Sequence, residues 1–495
     1  MIPTEVDNGS DGTASISKKI IEFKNRKAEV IESWEITTDS PIDLRNYIWE
    51  KDFIFTVELY LTDGSYYEKD IVVSNNKILF NSNTAISSES KLAYFVGGAT
   101  AVINKTIEIP ANIIMVNIVG LSYTSYRKLS FNIAERGTPL LINIKNLTMD
   151  SYYDETFATS CFYADDMAAT FTVMRFEGNN YFHASSAYMN SAAFEFYRNT
   201  LYMIGDSTAT LTIQGADGEA AEEGKYGRSG SSGIAAEALT IQGFSAIYIY
   251  GGNGSQGGKG ENGKDAPNYT YIGYNGYLGE DGGNGANAIY CDYLTINVTS
   301  LYAYGGDGGQ GGQGGDGGNG AHGKDGAGGA GSKGRIGGNG GNGGNGGDAI
   351  YVHRSASINV SNTQLLIGGA AGKAGKGGTG GNGGDGGKGA TGSSGIIAGK
   401  GGTGGNGGDG GDGGDGGSVG SAGYGLNVSD QRSGTIGNLY NSTYYLNQAK
   451  GNGGTGGQGG QGGNGGDGWF GKKGAAGAKG NPGTSGSAGR PGHVS

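Results

Sequence analysis

Carboxylate and histidine side chains are the first groups to consider for catalysis. Asp154 with Glu155, and Asp165 with Asp166, have the residue type that acts in pairs in glycoside hydrolysis. Because neighbouring residues alternate faces on a strand, neither pair converges on one point. The chain has four histidines, and their spacing is not typical of zinc ligands. The sequence therefore predicts no enzyme activity and no cofactor.

Calcium is the one metal that the glycine-rich part of the chain suggests. Residues 343–351 match the nonapeptide of calcium-binding β-rolls once, and one other stretch nearly matches it. Neither match is repeated in tandem, as a roll requires, so we predict no metal site. The alternative is calcium held between separate glycine runs by Asp307, by Asp316, or by Asp412 and Asp415.

Four tyrosines interrupt the glycine pattern at one place. Tyr269, Tyr271, Tyr274 and Tyr277 all lie within residues 265–280. Tyrosine combines a flat apolar ring with a polar tip and loses little rotamer entropy, which suits recognition. We expect these side chains to bind a receptor, by stacking on sugar rings or by packing on a protein. The alternative is a small local core that caps the glycine region.

A second aromatic break occurs near the C-terminus. Trp469 and Phe470 precede Lys472 and Lys473. We include Trp469 and Phe470 among the candidate receptor-binding residues. An anchor that caps the glycine region is the alternative for this pair.

Glycine at two of every three positions dominates the chain after Gln214, where nearly all of the 107 glycines lie. A period of three belongs to the extended polyproline-II family rather than to a helix or a strand. One such glycine segment alone would be flexible, so partners must hold it. The pattern predicts packed polyglycine-II helices, with a disordered linker as the alternative.

The third residue of each triplet is mostly Asn, Asp, Gln, Lys or Thr. We expect these side chains to form a solvated face. Ice binding is the alternative, and the interspersed Asp and Lys residues argue against the flat apolar face that it needs.

Strand-like segments that resemble one another separate the glycine runs. Residues 238–250, 288–304 and 349–367 each hold two or three short apolar stretches, and 424–447 is a diverged copy. Each copy has the size of one β-solenoid coil with about three short strands. Insertions at one corner of stacked repeats emerge on one face, so the glycine loops would lie side by side. Neither the coils nor the loops can be stable alone.

The sequence predicts an all-β chain with three regions. Residues 1–90 carry few glycines and longer strands, and they predict an N-terminal β domain for attachment or assembly, with a hairpin turn at 62–65. Residues 91–214 predict plain β-solenoid coils, with a β-sandwich as the alternative. Residues 215–495 predict solenoid coils that carry polyglycine-II insertions.

Charge, hydropathy and cysteines limit the partners. A net charge of −11 argues against nucleic-acid binding. No apolar run is long enough to cross a membrane as a helix, and the first residues lack the order of a signal peptide. Cys161 and Cys291 each lie in a strand-like segment, and we expect buried free thiols, with a disulfide as the alternative.

The glycine blocks of residues 251–468 resemble the distal receptor-binding adhesins on long tail fibres of T-even-like phages. That resemblance implies packed polyglycine-II helices whose distal loops contact the bacterial surface, and the coils between the blocks depart from that family. In the N-terminal region, the order Pro41-Ile-Asp-Leu, Phe55-Thr-Val and Thr62-Asp-Gly-Ser is similar, in a likeness of about 50 residues, to N-terminal baseplate-attachment domains of phages of Gram-positive bacteria. This second likeness implies a fibre or baseplate partner for residues 1–90, in a virion.

We therefore expect a non-enzymatic receptor-binding tip of a phage tail fibre or a similar surface fibre, in a virion or on an extracellular surface. Its partner would be an outer-surface protein or glycan of a bacterial cell, without membrane insertion. The alternative is a self-associating structural subunit of an extracellular filament or surface layer. The tyrosine-rich stretch favours the first function, and the lack of a charged cap on the last coil favours the second.

Overall fold

The computed structural model describes the strands up to residue 96, most of residues 104–385, residues 409–429 except 411, the strand at 442–445, and residues 458 and 461. Within 104–385 the description omits 114, 120–127, 138, 152–159, 165–170, 186–191, 269, 272, 324–329 and 331. In this part of the chain all regular elements are β-strands, which confirms the all-β class. No described helix is long and apolar enough to cross a membrane.

The strands, in chain order, are β1 (Glu5–Asp7), β2 (Thr13–Asn25), β3 (Val30–Ile36), β4 (Phe53–Leu61), β5 (Tyr66–Val73), β6 (Lys77–Leu79), β7 (Leu92–Val96), β8 (Asn104–Ile109), β9 (Met115–Val119), β10 (Lys128–Ile133), β11 (Leu140–Lys145), β12 (Thr148–Asp150), β13 (Phe162–Ala164), β14 (Phe171–Glu177), β15 (Asn179–His183), β16 (Ala192–Gly205), β17 (Thr210–Gln214), β18 (Ser232–Gln242), β19 (Ala246–Tyr250), β20 (Ile289–Tyr304), β21 (Ile350–Ile367), β22 (Leu426–Val428) and β23 (Ser442–Tyr445).

The first five strands form an antiparallel sheet. Strand β2 pairs with β1, β3 and β4, and β4 pairs with β5. The β4–β5 register places Tyr60 opposite Tyr66, as a hairpin requires, while the predicted turn residues 62–65 lie outside the described part of the chain. Antiparallel pairing follows from the short connection, because parallel neighbours need a long crossover.

All later strands, from β6 to β23, belong to one parallel sheet of 18 described strands. Strands that pair in parallel one after another line up in three rows along this sheet. The first row runs through β8, β10, β13 and the starts of β16, β18, β20 and β21 to β22. The second runs through β7, β9, β11 and β14 into the later parts of β16 and β18. The third runs through β12, β15, β17 and β19 to the ends of β20 and β21 and then β23.

One apolar core runs along the inner side of these rows. In β17, β19 and most of β20 alternate residues are buried, as the period of two requires. Along the first row Phe131 stacks on Phe162 with ring centroids 5.1 Å apart, and Phe162 meets Phe194 edge to face at 5.2 Å. Cys161 and Cys291 lie in this core as free thiols, which confirms that prediction, and burial raises the pKa of both thiols.

Glycine-rich segments leave the third row and return to the first. We call the half of each segment that leads away from the third row an outbound arm, and the half that leads back to the first row a return arm. The outbound arms are 251–264, 305–320 and 368–384, and the return arms are 274–287, 332–348 and 412–424. A shorter segment, 215–231, precedes them. None of these arms contains a helix or a strand, yet their backbones are hydrogen-bonded throughout.

The hydrogen bonds between arms repeat every three residues. Gly254, Gly257 and Gly260 donate their N–H groups to carbonyl oxygens of the next outbound arm at 2.8 to 2.9 Å, accepted by Asp307, Gln310 and Gln313. Return arms bond in the same way to outbound arms, as in the 2.8 Å bond from Gly341 N–H to the Gly312 carbonyl oxygen. Each glycine arm therefore has neighbours on several sides.

The close approach of these backbones requires glycine. A Cβ on Gly341 would overlap the carbonyl oxygen of Glu280, and a Cβ on Gly312 would overlap that of Gly258. Both obstacles are backbone atoms, which cannot rotate away. The Gly-Gly-X pattern is thus explained by packing between arms.

Candidate binding surface on the glycine arms

Tyr274 and Tyr277 project from the return arm 274–287. Their exposed fractions are 62% and 60%. They are three positions apart, which is the period of the arm, so both side chains leave the same side of it. The arrangement presents two phenol rings in a row to solvent.

Hydrogen bonds on two sides hold the backbone beneath these tyrosines. Tyr274 and Tyr277 donate their N–H groups to the carbonyl oxygens of Lys264 and Glu261, at 2.8 and 2.9 Å. Their own carbonyl oxygens each accept an N–H group from the outbound arm 305–320, both at 2.9 Å. The side chains are therefore exposed while the backbone is fixed, which reduces the ordering cost of binding.

Tyr271 lies in the turn that connects the two arms and is 59% exposed. The turn is closed by Asn268, whose side-chain oxygen accepts hydrogen bonds from the N–H and hydroxyl groups of Thr270. The Asn268 carbonyl oxygen accepts the N–H of Tyr271 at 3.1 Å. This local pattern is an Asx-turn, which explains why the chain reverses here.

Two apolar side chains are also exposed in this part of the arms. Leu278 follows Tyr277 directly and is 60% exposed, and Ile336 on the neighbouring return arm is 46% exposed. The arms are joined at this point, because Gly276 donates its N–H to the Ile336 carbonyl oxygen at 2.9 Å. Leu278 was not predicted from the sequence as a binding residue, although it breaks the glycine pattern in the same place. Ile336 lies next to this arm because the return arms 274–287 and 332–348, which are distant in sequence, are hydrogen-bonded to each other.

Arg335 fastens the turn to the next return arm. Its Nε donates to the Gly273 carbonyl oxygen at 2.9 Å. The N–H of Ile336 donates to the side-chain oxygen of Asn275 at 3.3 Å. We call Tyr271, Tyr274, Tyr277, Leu278 and Ile336 together the distal aromatic surface.

The remaining predicted residues fall outside the described part of the chain. These are Tyr269, Trp469, Phe470 and both acidic pairs of 154–155 and 165–166. Their predicted roles stay predictions.

The aspartates considered for calcium make hydrogen bonds within the arms. The side-chain oxygens of Asp307 and Asp316 accept the N–H groups of Ala370 and Thr379, at 2.6 and 2.8 Å. Among the residues that the structure describes, no three His, Cys, Asp or Glu side chains cluster as a metal site would require.

One carboxylate is buried where the third glycine segment rejoins the sheet. Asp348 accepts the Tyr424 N–H at 2.7 Å and the Asn427 side-chain amide at 2.8 Å. Burial raises the pKa of Asp348 above its usual value, although these two hydrogen bonds act in the opposite direction. The group therefore ties the return arms to the start of β22.

Comparison of the chain with protein-family models found no match, and searches among curated proteins and solved structures found none either. Function must be argued from the geometry of this chain alone.

Proposed function

We propose that this chain is a non-enzymatic adhesin, the receptor-binding tip of a phage tail fibre or of a similar surface fibre. It acts in a virion or on an extracellular surface, and residues 1–90 attach it to a fibre or baseplate protein. The receptor is an outer-surface protein or a glycan of a bacterial cell.

The architecture that we propose for this role is a β-solenoid braced by polyglycine-II helices. The three rows of parallel pairing support a solenoid with about three strands per coil. Register shifts in the β20–β21 pairing, between Cys291 and Tyr293 and between Val298 and Ser300, fit corners between the rows. Hydrogen bonds with a period of three, in arms without strand pairing, support polyglycine-II.

The distal aromatic surface is the observation that carries the proposal. Large apolar side chains exposed together on a well-bonded support are typical of interaction sites. Tyrosine is enriched among residues that dominate binding energy. The arms would hold these side chains away from the sheet, as loops on a rigid scaffold hold binding residues.

Binding to cells tests this proposal. Fluorescently labelled protein would be applied to a panel of Gram-negative and Gram-positive bacteria, and strains that bind it would be titrated. Changing Tyr271, Tyr274 and Tyr277 together to serine should weaken binding at least about tenfold, because aromatic anchors each contribute on the order of 1 kcal/mol or more. Thermal unfolding should change little.

The matched control is Tyr293→Ser, which removes a tyrosine that is 43% exposed on strand β20. It should bind cells as the unchanged protein does. Equal binding by the triple variant, or binding to no strain of the panel, would contradict the adhesin.

A further inference from the structure

A groove lies between the parallel sheet, the end of the shorter segment 215–231 and the first return arm, apart from the distal aromatic surface. Its volume is about 580 Å³, within the range of roughly 300–1,000 Å³ that is usual for ligand sites. Residues of β16 and β20 line one side, and residues of 229–232 and 284–287 line the other. The groove is therefore bounded by two different kinds of backbone.

The sheet side of the groove is aromatic. Tyr197 and Tyr290 lie 6.1 Å apart between ring centroids, with their planes at 71°. Tyr290 is 37% exposed and stacks on Tyr351 of the next strand at 5.3 Å with nearly parallel rings. This stacking fixes the orientation of Tyr290, so that the exposed part of its ring forms a rigid apolar wall of the groove together with Tyr197.

The side formed by the arms presents hydrogen-bond donors. Asn284 and Asn287 use their side-chain oxygens to accept the N–H groups of Asn345 and Asp348, at 2.8 and 2.7 Å. This assignment directs the NH₂ group of each amide away from those bonds. Ser229 Oγ likewise accepts the Asn284 N–H at 3.2 Å, which leaves its hydroxyl hydrogen as a donor.

The side chains that line the groove carry a positive charge, whereas the net charge of the chain is negative. The lining residues include no Asp or Glu, while Arg198 supplies a guanidinium group. The whole chain has a net charge of −11. A guanidinium group matches a carboxylate in geometry and charge. A ligand that suits this groove therefore has a face for stacking, many acceptors and a negative charge.

We propose that this groove binds an acidic oligosaccharide, with a sugar ring packed on Tyr290 and a sugar carboxylate paired with Arg198. The amide groups of Asn284 and Asn287 donate to sugar oxygens. This site is independent of the distal aromatic surface, since the two share no residue.

Saturation-transfer NMR with the full chain tests the groove. The probes are trimers of galacturonic, glucuronic and mannuronic acid, each compared with the neutral trimer of the same sugar. We expect at least one acid trimer to bind about tenfold more tightly than its neutral counterpart, because the pair between a guanidinium and a carboxylate is a charge-assisted hydrogen bond, which is stronger than one between neutral groups.

Variants separate the groove from other sites. Arg198→Gln should reduce the affinity for the acid trimer to that for the neutral trimer, and Tyr290→Ala should weaken both. Tyr302→Ala is the matched control, because Tyr302 stacks on Tyr248 at 4.5 Å in another row of the sheet. The tyrosine-to-serine triple variant should bind the trimer normally even if it no longer binds cells.

Three outcomes would overturn the groove proposal. They are no binding of any acid trimer, equal binding of acid and neutral trimers, and full affinity in Arg198→Gln. None of them bears on the cell-binding test, so the two proposals can fail separately.

Discussion

Asparagine and aspartate in the glycine triplets form ladders between arms. The side-chain oxygen of Asp217 accepts the N–H of Asn253, whose own side-chain oxygen accepts the N–H of Asp307, at 2.7 and 2.8 Å. On the return arms, Asn284 and Asn345 make the next such steps. Each ladder satisfies an N–H group that the bonds between glycines do not use.

Breaking one ladder step should loosen the arms only locally. Asn345→Ala removes the acceptor of the 2.8 Å bond from the Ser421 N–H. Because the site is exposed and water can replace the lost acceptor, we expect a loss of about 0.5–1.5 kcal/mol in unfolding free energy. Hydrogen exchange at Ser421 should become faster. Asn345→Asp keeps the oxygen and should retain protection, and unchanged exchange in the alanine variant would refute the ladder.

Asp348 predicts a dependence of stability on pH. Its pKa is raised in the folded state by burial, so the protonated form is favoured by folding. This contribution is complete below the unfolded pKa and is lost as the pH rises through the folded pKa. Asp348→Asn, which never ionises, should therefore gain Tm relative to the unchanged protein as the pH rises from about 3 to about 8.

The same experiment has an internal control. Asp348→Ala removes both acceptors and should be less stable than Asp348→Asn by about 1–3 kcal/mol at every pH. A Tm difference between Asp348→Asn and the unchanged protein that does not vary with pH would contradict the role of burial.

Only part of the residue-scale picture could be predicted from the sequence. Tyr274 and Tyr277 were identifiable because they break the glycine pattern. Ile336 could not be placed next to the arm that carries them, since its bond to Asn275 joins residues 61 positions apart. The Asn and Asp residues of the triplets were assigned to a solvated face, and the exposure of Asn253, Asp307 and Asn345 agrees with that, whereas Asp348 is buried. Their bonding role depends on the register of the arms, which the local sequence does not contain.

The glycine arms require close backbone contact, which yields a prediction for the whole element. Gly341→Ala places a Cβ against the Glu280 carbonyl oxygen and should separate two return arms. Overpacking of this kind costs about 1–3 kcal/mol or more. Thermal unfolding and limited proteolysis of the arm 332–348 would measure the effect. Gly137→Ala is the control, because a Cβ there meets no atom within 4 Å; equal stability of both variants would exclude tight packing of the arms.

The sequence shows that the strand segments are copies of one another, but it does not show which row of the sheet each strand joins. The copies at 288–304 and 349–367 pair in register, with Ile296 opposite Ile358. Residues 209–215 and 238–243 also resemble each other, yet Leu211 pairs with Ile247 while Leu239 pairs with Leu294. All rows bury alternate residues, so periodicity alone cannot tell which row a strand joins.

The whole molecule changes along its length, which favours a discrete particle. Ladder partners on successive glycine segments are 36, then 54, then 63 residues apart on the outbound side. On the return side the separation reaches 76 residues. A filament made by stacking ends needs first and last coils whose surfaces are complementary. Because the glycine segments lengthen along the chain, the two ends differ, and on that ground we expect a discrete particle.

Electron microscopy of negatively stained protein over a concentration series tests the adhesin most directly against the structural subunit. We expect separate particles of constant size at every concentration. Long filaments with a regular axial repeat, growing in number with concentration, would contradict the adhesin. They would make the chain a structural polymer in which the glycine arms protect the assembly.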